Sequence, residues 1–138
     1  MSVDSQNGWR LRAGAALHVP SGPSLHLHIV LNDPIQVEGY GSAVVIALVG
    51  ISSVPQNQAM FFDRTCILQQ GCHPSIHHES YVYYKGALIA QARDVEERVR
   101  QGIYRQAASF SANVLQQIRI GLRQSKFTTR EIQRISWF

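Results

Sequence analysis

Apolar and polar positions alternate between residues 25 and 31. Leu25, Leu27, Ile29 and Leu31 fall on one side, and His26, His28 and Val30 on the other. A period of two predicts a half-buried strand. Pro20-Ser21-Gly22-Pro23 stands before it and predicts a turn, because proline fixes φ and glycine relieves the backbone. A first strand is expected over residues 9–19, interrupted at Gly14. Residues 43–51 are an apolar run rich in valine and isoleucine, with Gly50 inside it, the pattern of a buried central strand. Ser52 and Ser53 stand where this strand runs out. Short strands are expected at 65–68 and 80–84, with Lys85-Gly86 as a tight turn into 87–90. Residues 1–8 are polar and are expected to fray.

After Gln91 the period lengthens. Val95, Val99 and Ile103 recur every four residues, with Asp94, Glu96 and Glu97 near the start, where a helix N-terminus favours negative charge. This predicts a helix over 92–101, ended by Gly102. Phe110, Val114, Ile118 and Leu122 predict a second helix over 110–122. Thr128-Thr129-Arg130-Glu131 resembles a capping box and predicts a last short helix docked by Ile132, Ile135 and Trp137.

Strands followed by helices define an α+β fold: a small closed or half-closed barrel of about five to seven strands and two or three C-terminal helices. The expectation is one domain over residues 1–138, with a β-barrel at about 10–90 and a helical tail at 92–138 packed on its open side. Composition agrees with a folded core, since 45% of residues are apolar and 16% charged. The longest apolar run is too short for a membrane helix, which needs about 20 residues. With no export signal evident, a cytoplasmic location and reduced cysteines at Cys66 and Cys72 are expected. Charge changes the picture more. Residues 1–90 hold four Lys/Arg and five Asp/Glu, whereas 91–138 hold nine and four, so the net +4 comes entirely from the tail. A basic helical face suits a phosphate backbone, an acidic partner or plain solvation.

The candidate chemistry lies in two histidine groups, His26 with His28, and His73, His77 and His78 in the loop 71–79. Imidazole exchanges protons near neutral pH. Three uses of the loop fit its residue types. Cys66, Cys72, the histidines and Glu79 could ligate zinc, though their spacing matches no standard finger. One or two histidines could work as acid, base or phosphate contact. Alternatively, His73-Pro74 shapes a turn and a histidine bonds backbone carbonyls. Gly-x-Ser-x-Gly, P-loop and Gly-x-Gly-x-x-Gly motifs are absent.

Three segments in order resemble the PemK/MazF-type toxins, whose fold is a small SH3-like barrel. They are 14–33, with Leu27-His28-Ile29-Val30-Leu31-Asn32-Asp33; 44–53, ending Ile51-Ser52-Ser53; and 65–84, with Gly71-x-His73-Pro74-x-Ile76-x-His78-x-Ser80-Tyr81-Val82. The last resembles an uncharacterised bacterial branch of this fold. The resemblance implies a metal-independent endoribonuclease of the mRNA interferase kind, without cofactor, or a degenerate relative that binds RNA without cutting it. It also implies homodimerisation and an antitoxin partner. In the family an arginine before the second strand and a Thr/Ser at the end of the third promote attack of a ribose 2′-hydroxyl on phosphate. Ser52 matches the second; Leu25-His26 stands in place of the first. The implied catalytic set is therefore His26, Ser52, His73 and His78, with Arg12, Arg64 and Lys85 as RNA contacts. The competing hypothesis is a non-enzymatic module that binds a protein partner in a toxin–antitoxin or phage-related system.

Overall fold

The computed structural model describes residues 8–57, 59–135 and 137–138; the segment 1–7, expected to fray, lies outside them. The elements run β1 (Ala16–Ser21), β2 (Ser24–Val30), β3 (Ile35–Gln36), β4 (Val44–Ser53), β5 (Ile67–Leu68), β6 (Ser80–Gln91), α1 (Ala92–Arg100), β7 (Arg105–Ala107), α2 (Ala112–Gln124) and α3 (Arg130–Arg134). The fold is α+β. One antiparallel sheet has the order β5-β6-β4-β2-β1-β7, with β3 added to β4. It curls into a half-barrel whose path ends at β5 and β7 and does not close.

The β1–β2 hairpin follows from its turn. Ser21 pairs with Ser24 across Gly22-Pro23, and Gly22 has φ +60°, a left-handed value that costs glycine nothing. Pro20 is tolerated inside β1 because β7 pairs only with Ala16, Leu17 and His18. The predicted first strand starts later than expected, at Ala16. Trp9 and Leu11 are buried below the sheet instead, and Trp9 donates its indole N–H to the Ala16 carbonyl at 3.1 Å.

Both faces of the sheet are covered over part of their length. On the first face Leu27, Ile29, Val49 and Tyr84 form a core with Ile118 and Leu122 of α2, Ile132 of α3 and Trp137. On the second face Leu17, Val30, Ile46 and Leu48 pack with Val95 and Val99 of α1 and with Trp9. This explains the apolar run of β4, which meets a core on either side. It also corrects the simple alternation read at 25–31. Val30, on the nominally polar face, is fully buried, and Leu25, on the apolar one, is 41% exposed because the strand start projects past both cores.

Three expectations are revised. The stretch around Lys85-Gly86 is no turn: β6 continues through it as an irregularity opposite β4, between the Gly50–Tyr83 and Leu48–Leu88 pairs. The region after residue 91 is not purely helical, because β7 returns to pair with β1. The helices do not share one side of the sheet; α1 covers one face, and α2 and α3 the other. Two basic residues of this region are tied internally. Arg119 donates to the Leu31 carbonyl at 2.9 Å, and Arg123 donates to the Gln133 and Ile135 carbonyls, both at 3.1 Å. Among the described residues no helix is long and apolar enough to cross a membrane.

Candidate functional site

In an antiparallel sheet, residues directly opposite share a face, and so do positions two apart along a strand. His28 pairs with Gly50, and Gly50 with Tyr83. One step further along the strands, Ser52 pairs with Tyr81, and Tyr81 with Ile67. His26 lies two residues from His28 and opposite Val19. These residues therefore occupy the second face, beyond the end that α1 covers. His26 and Tyr83 are exposed; His28, Ser52 and Tyr81 are half-buried.

Bare glycines shape this open half. A Cβ at position 50 would stand 3.1 Å from His28 Nε2, and one at position 86 would stand 2.6 Å from Tyr83 Cδ2. The His28 ring thus leans over Gly50 and the Tyr83 ring over Gly86. His28 Nδ1 lies 3.1 Å from the His26 carbonyl. A carbonyl only accepts, so Nδ1 carries the hydrogen and Nε2 keeps a lone pair in the neutral ring. Burial pushes the His28 imidazole below its ordinary value; the bond to the His26 carbonyl opposes this, and the nearby His26 charge adds to it. The net lowering leaves His28 neutral at pH 7, the state of a proton acceptor.

The face extends sideways through aromatic rings. Phe62 packs on Tyr81 with centroids 4.9 Å apart, and the Arg64 guanidinium sits 4.2 Å above the Phe62 ring. Asp63 fixes this segment. Its Oδ1 accepts from the Thr65 N–H at 3.0 Å and the Thr65 hydroxyl at 2.5 Å, and its Oδ2 accepts from the Ser125 hydroxyl at 2.6 Å. Burial alone would raise the Asp63 carboxyl. The Ser125 and Thr65 hydrogen bonds and the Lys126 charge outweigh burial and hold it below the ordinary carboxylate value. A carboxylate with a depressed folded pKa stabilises fully above its unfolded value, about 3.9, and that contribution is lost as pH falls through the folded one. Thermal melts across the acid range should therefore show a falling limb below about pH 4. Asp63→Asn should flatten that limb and cost about 1–2 kcal/mol at pH 7.

The sequence-predicted set is divided. His26, Ser52 and Arg64 belong to the open half-face or its flank. Lys85 is exposed on β6 just past Tyr83. His78 is exposed at the rim of a hollow shared with Ser53, Val54 and Glu79, where β4 and β6 part. Arg12 stands apart: it precedes Gly14, which bonds to Val30 at the far end of β2. Four residues separate positions 26 and 30, about 13 Å of strand, so the Arg12 backbone stands toward the opposite end of β2 from His26. His73 stands on the other side of the sheet. It is 2% exposed, stacked on Phe110 at 4.3 Å and tied to the Ala108 carbonyl through Nε2, while Nδ1 accepts the Ser75 N–H at 3.0 Å. With both ring nitrogens engaged, His73 is a structural pin and not a proton carrier for this face. Among the described residues, no three His, Cys, Asp or Glu side chains gather as a metal-binding group.

The period-two spacing placed His28 beside His26 among the candidate histidines, but the resemblance put only His26 in the catalytic set. Phe62 gave none, because its contact with Tyr81 is made only by the fold. The fold and face together define a half-open α+β sheet that presents imidazoles, a hydroxyl and aromatic rings in one plane. Comparison with family models, curated proteins and solved structures finds no match to this chain.

Proposed function

We propose that the protein is RNA-directed and lays a single-stranded RNA across the open half of its sheet. The observation that carries this is the shared face of His26, His28, Ser52, Tyr81 and Tyr83 on adjacent strands. Exposed rings on a sheet stack unpaired bases whatever their sequence, and neighbouring cations and hydroxyls hold phosphates. The half-barrel, with Ser52 at the end of β4, supports a reading as a distant variant of the SH3-like barrel of PemK/MazF-type toxins.

The same face has the elements of metal-independent strand cleavage. His28 Nε2 would take the proton of a ribose 2′-hydroxyl as its oxygen attacks the adjacent phosphorus. A protonated His26 would give a proton to the departing 5′-oxygen, leaving a 2′,3′-cyclic phosphate. Ser52 would donate to a phosphate oxygen. A cytoplasmic, homodimeric toxin neutralised by an antitoxin is the corresponding biological role. The alternative, a protein-interaction module, draws support from Ile35 and Val44, which are 44% and 41% exposed beside the short β3.

The test is fluorescence anisotropy with a labelled single-stranded RNA at low salt, beside a cleavage gel in EDTA. Binding is expected, and Tyr81→Leu should weaken it roughly 5- to 100-fold. Cleavage, if the pair of imidazoles acts, should vanish in both His26→Ala and His28→Ala. Absence of binding at low salt overturns the RNA reading. Binding without cleavage retains the surface and removes the chemistry.

A further inference from the structure

A second cluster of rings and cations lies beside the open face and has no part in the steps above. Phe61 is 71% exposed and meets Phe127 edge to face, with centroids 5.4 Å apart. Lys126 Nζ stands 5.4 Å from the centroid of Phe127. Phe61, Arg64, Lys126 and Phe127 line a common cleft with Asp63 at its wall. Phe61 therefore presents most of its ring to solvent while Phe127 holds it in place. The charges on hand say what would cover it: Arg64 and Lys126 are both exposed cations, and they outnumber the one carboxylate of the cleft, Asp63, which is buried and accepts from the Thr65 and Ser125 hydroxyls. The cleft thus offers the exposed Phe61 ring, set at an angle to Phe127, with positive charge at its rim, a fit for a nucleobase on one ring face with its phosphate beside it.

The position of the cleft adds a direction. Tyr81 belongs to the open sheet face and touches Phe62; Phe62 carries Arg64 on its ring; Phe61 precedes Phe62 and leads to Phe127. Two ring pairs follow one another along this line, each with one cation, from β6 beside the edge strand β5 to the residues just past α2. Successive bases of one strand need such a succession of stacking surfaces with a cation beside each.

We infer that the Phe61–Phe127 cleft is a second subsite that takes an unpaired nucleobase and its phosphate from the same RNA strand, beyond the sheet face. The inference rests on the RNA reading of that face, and the experiment separates the two. Anisotropy is measured with labelled oligouridylates of three and of ten nucleotides, on wild-type protein, Phe61→Ala, Lys126→Ala and Tyr81→Leu. Phe61 and Lys126 are exposed, so their truncation leaves the core intact; circular dichroism melts check this. Phe61→Ala should weaken the ten-mer about 5-fold or more and leave the three-mer unchanged, with Lys126→Ala weakening the ten-mer less and lowering its salt dependence. Tyr81→Leu should weaken both lengths. Ten-mer binding unaffected by Phe61→Ala and Lys126→Ala, but lost in Tyr81→Leu, overturns the subsite and leaves the sheet reading standing. Loss in Phe61→Ala with no effect of Tyr81→Leu overturns the sheet reading and keeps the cleft. No binding at either length overturns both.

Discussion

Gly121→Ala is expected to lower stability by about 2 kcal/mol, with a fall in Tm of roughly 6–10 °C. Helix propensity alone predicts the opposite sign, because alanine is favoured over glycine inside a helix by about 1 kcal/mol. The packing decides. Gly121 is buried in α2 at the point where the helix crosses Tyr84 of β6. A Cβ there would overlap the Tyr84 hydroxyl and stand 2.8 Å from the ring carbon that bears it. Tyr84 is fully buried, and its hydroxyl donates to the Ile118 carbonyl at 2.8 Å. The ring therefore cannot swing away without breaking a buried hydrogen bond, and α2 cannot rise without opening the core around Ile118 and Leu122. Tyr84→Phe alone should cost about 1 kcal/mol through the lost bond. Combined with Gly121→Ala it should cost less than the sum, because the hydroxyl that clashes is gone. Thermal melts of the two single variants and the double variant measure that coupling. An unchanged or raised Tm for Gly121→Ala would mean that α2 does not approach β6 this closely.

Those two residues also mark where sequence patterns stop being informative. The stripe Phe110, Val114, Ile118 and Leu122 announces α2 and its buried side, and Thr129 caps α3 as its neighbours suggest, accepting the Ile132 N–H. The turn at Gly22-Pro23 and the buried run of β4 were equally legible, because each depends on residues a few positions apart. Gly121 within a helical pattern reads only as a weak point, since its partner lies 37 positions back in the chain. β7 escaped for a similar reason. Arg105, Gln106 and Ala107 have no strand pattern of their own and are extended because β1 offers an unpaired edge. At the site, His26 and Ser52 were legible as polar residues at strand positions. The coverage that leaves half of the second face open depends on where α1 ends against β4, and no local pattern encodes that. Phe61, Phe62 and Phe127 belong to no periodic pattern, and their ring contacts join segments distant in the chain.

His73→Ala should be the most damaging histidine substitution, at about 3 kcal/mol, and should leave the chemistry of the open face untouched. The ring is buried between the loop 71–79 and the stretch that joins β7 to α2. Truncation strands the Ala108 carbonyl and the Ser75 N–H, and removes the ring stacked on Phe110. A buried carbonyl without a donor costs about 1–3 kcal/mol by itself. His73→Phe separates the contributions, since it keeps the stacking and loses both hydrogen bonds; it should recover part of the stability and no more. Denaturant melts give the stability order wild type, His73→Phe, His73→Ala. RNA binding measured well below each variant's Tm should be the same for all three, because His73 lies on the opposite side of the sheet from His26 and Ser52. The reverse pattern, binding or cleavage lost with stability unchanged, would return His73 to the site. It would also show that the loop 71–79 reaches the RNA. The expected pattern gives the histidine-rich loop a different purpose: of its three histidines, His73 is the one turned inward, where it fastens the β half of the chain to the start of α2.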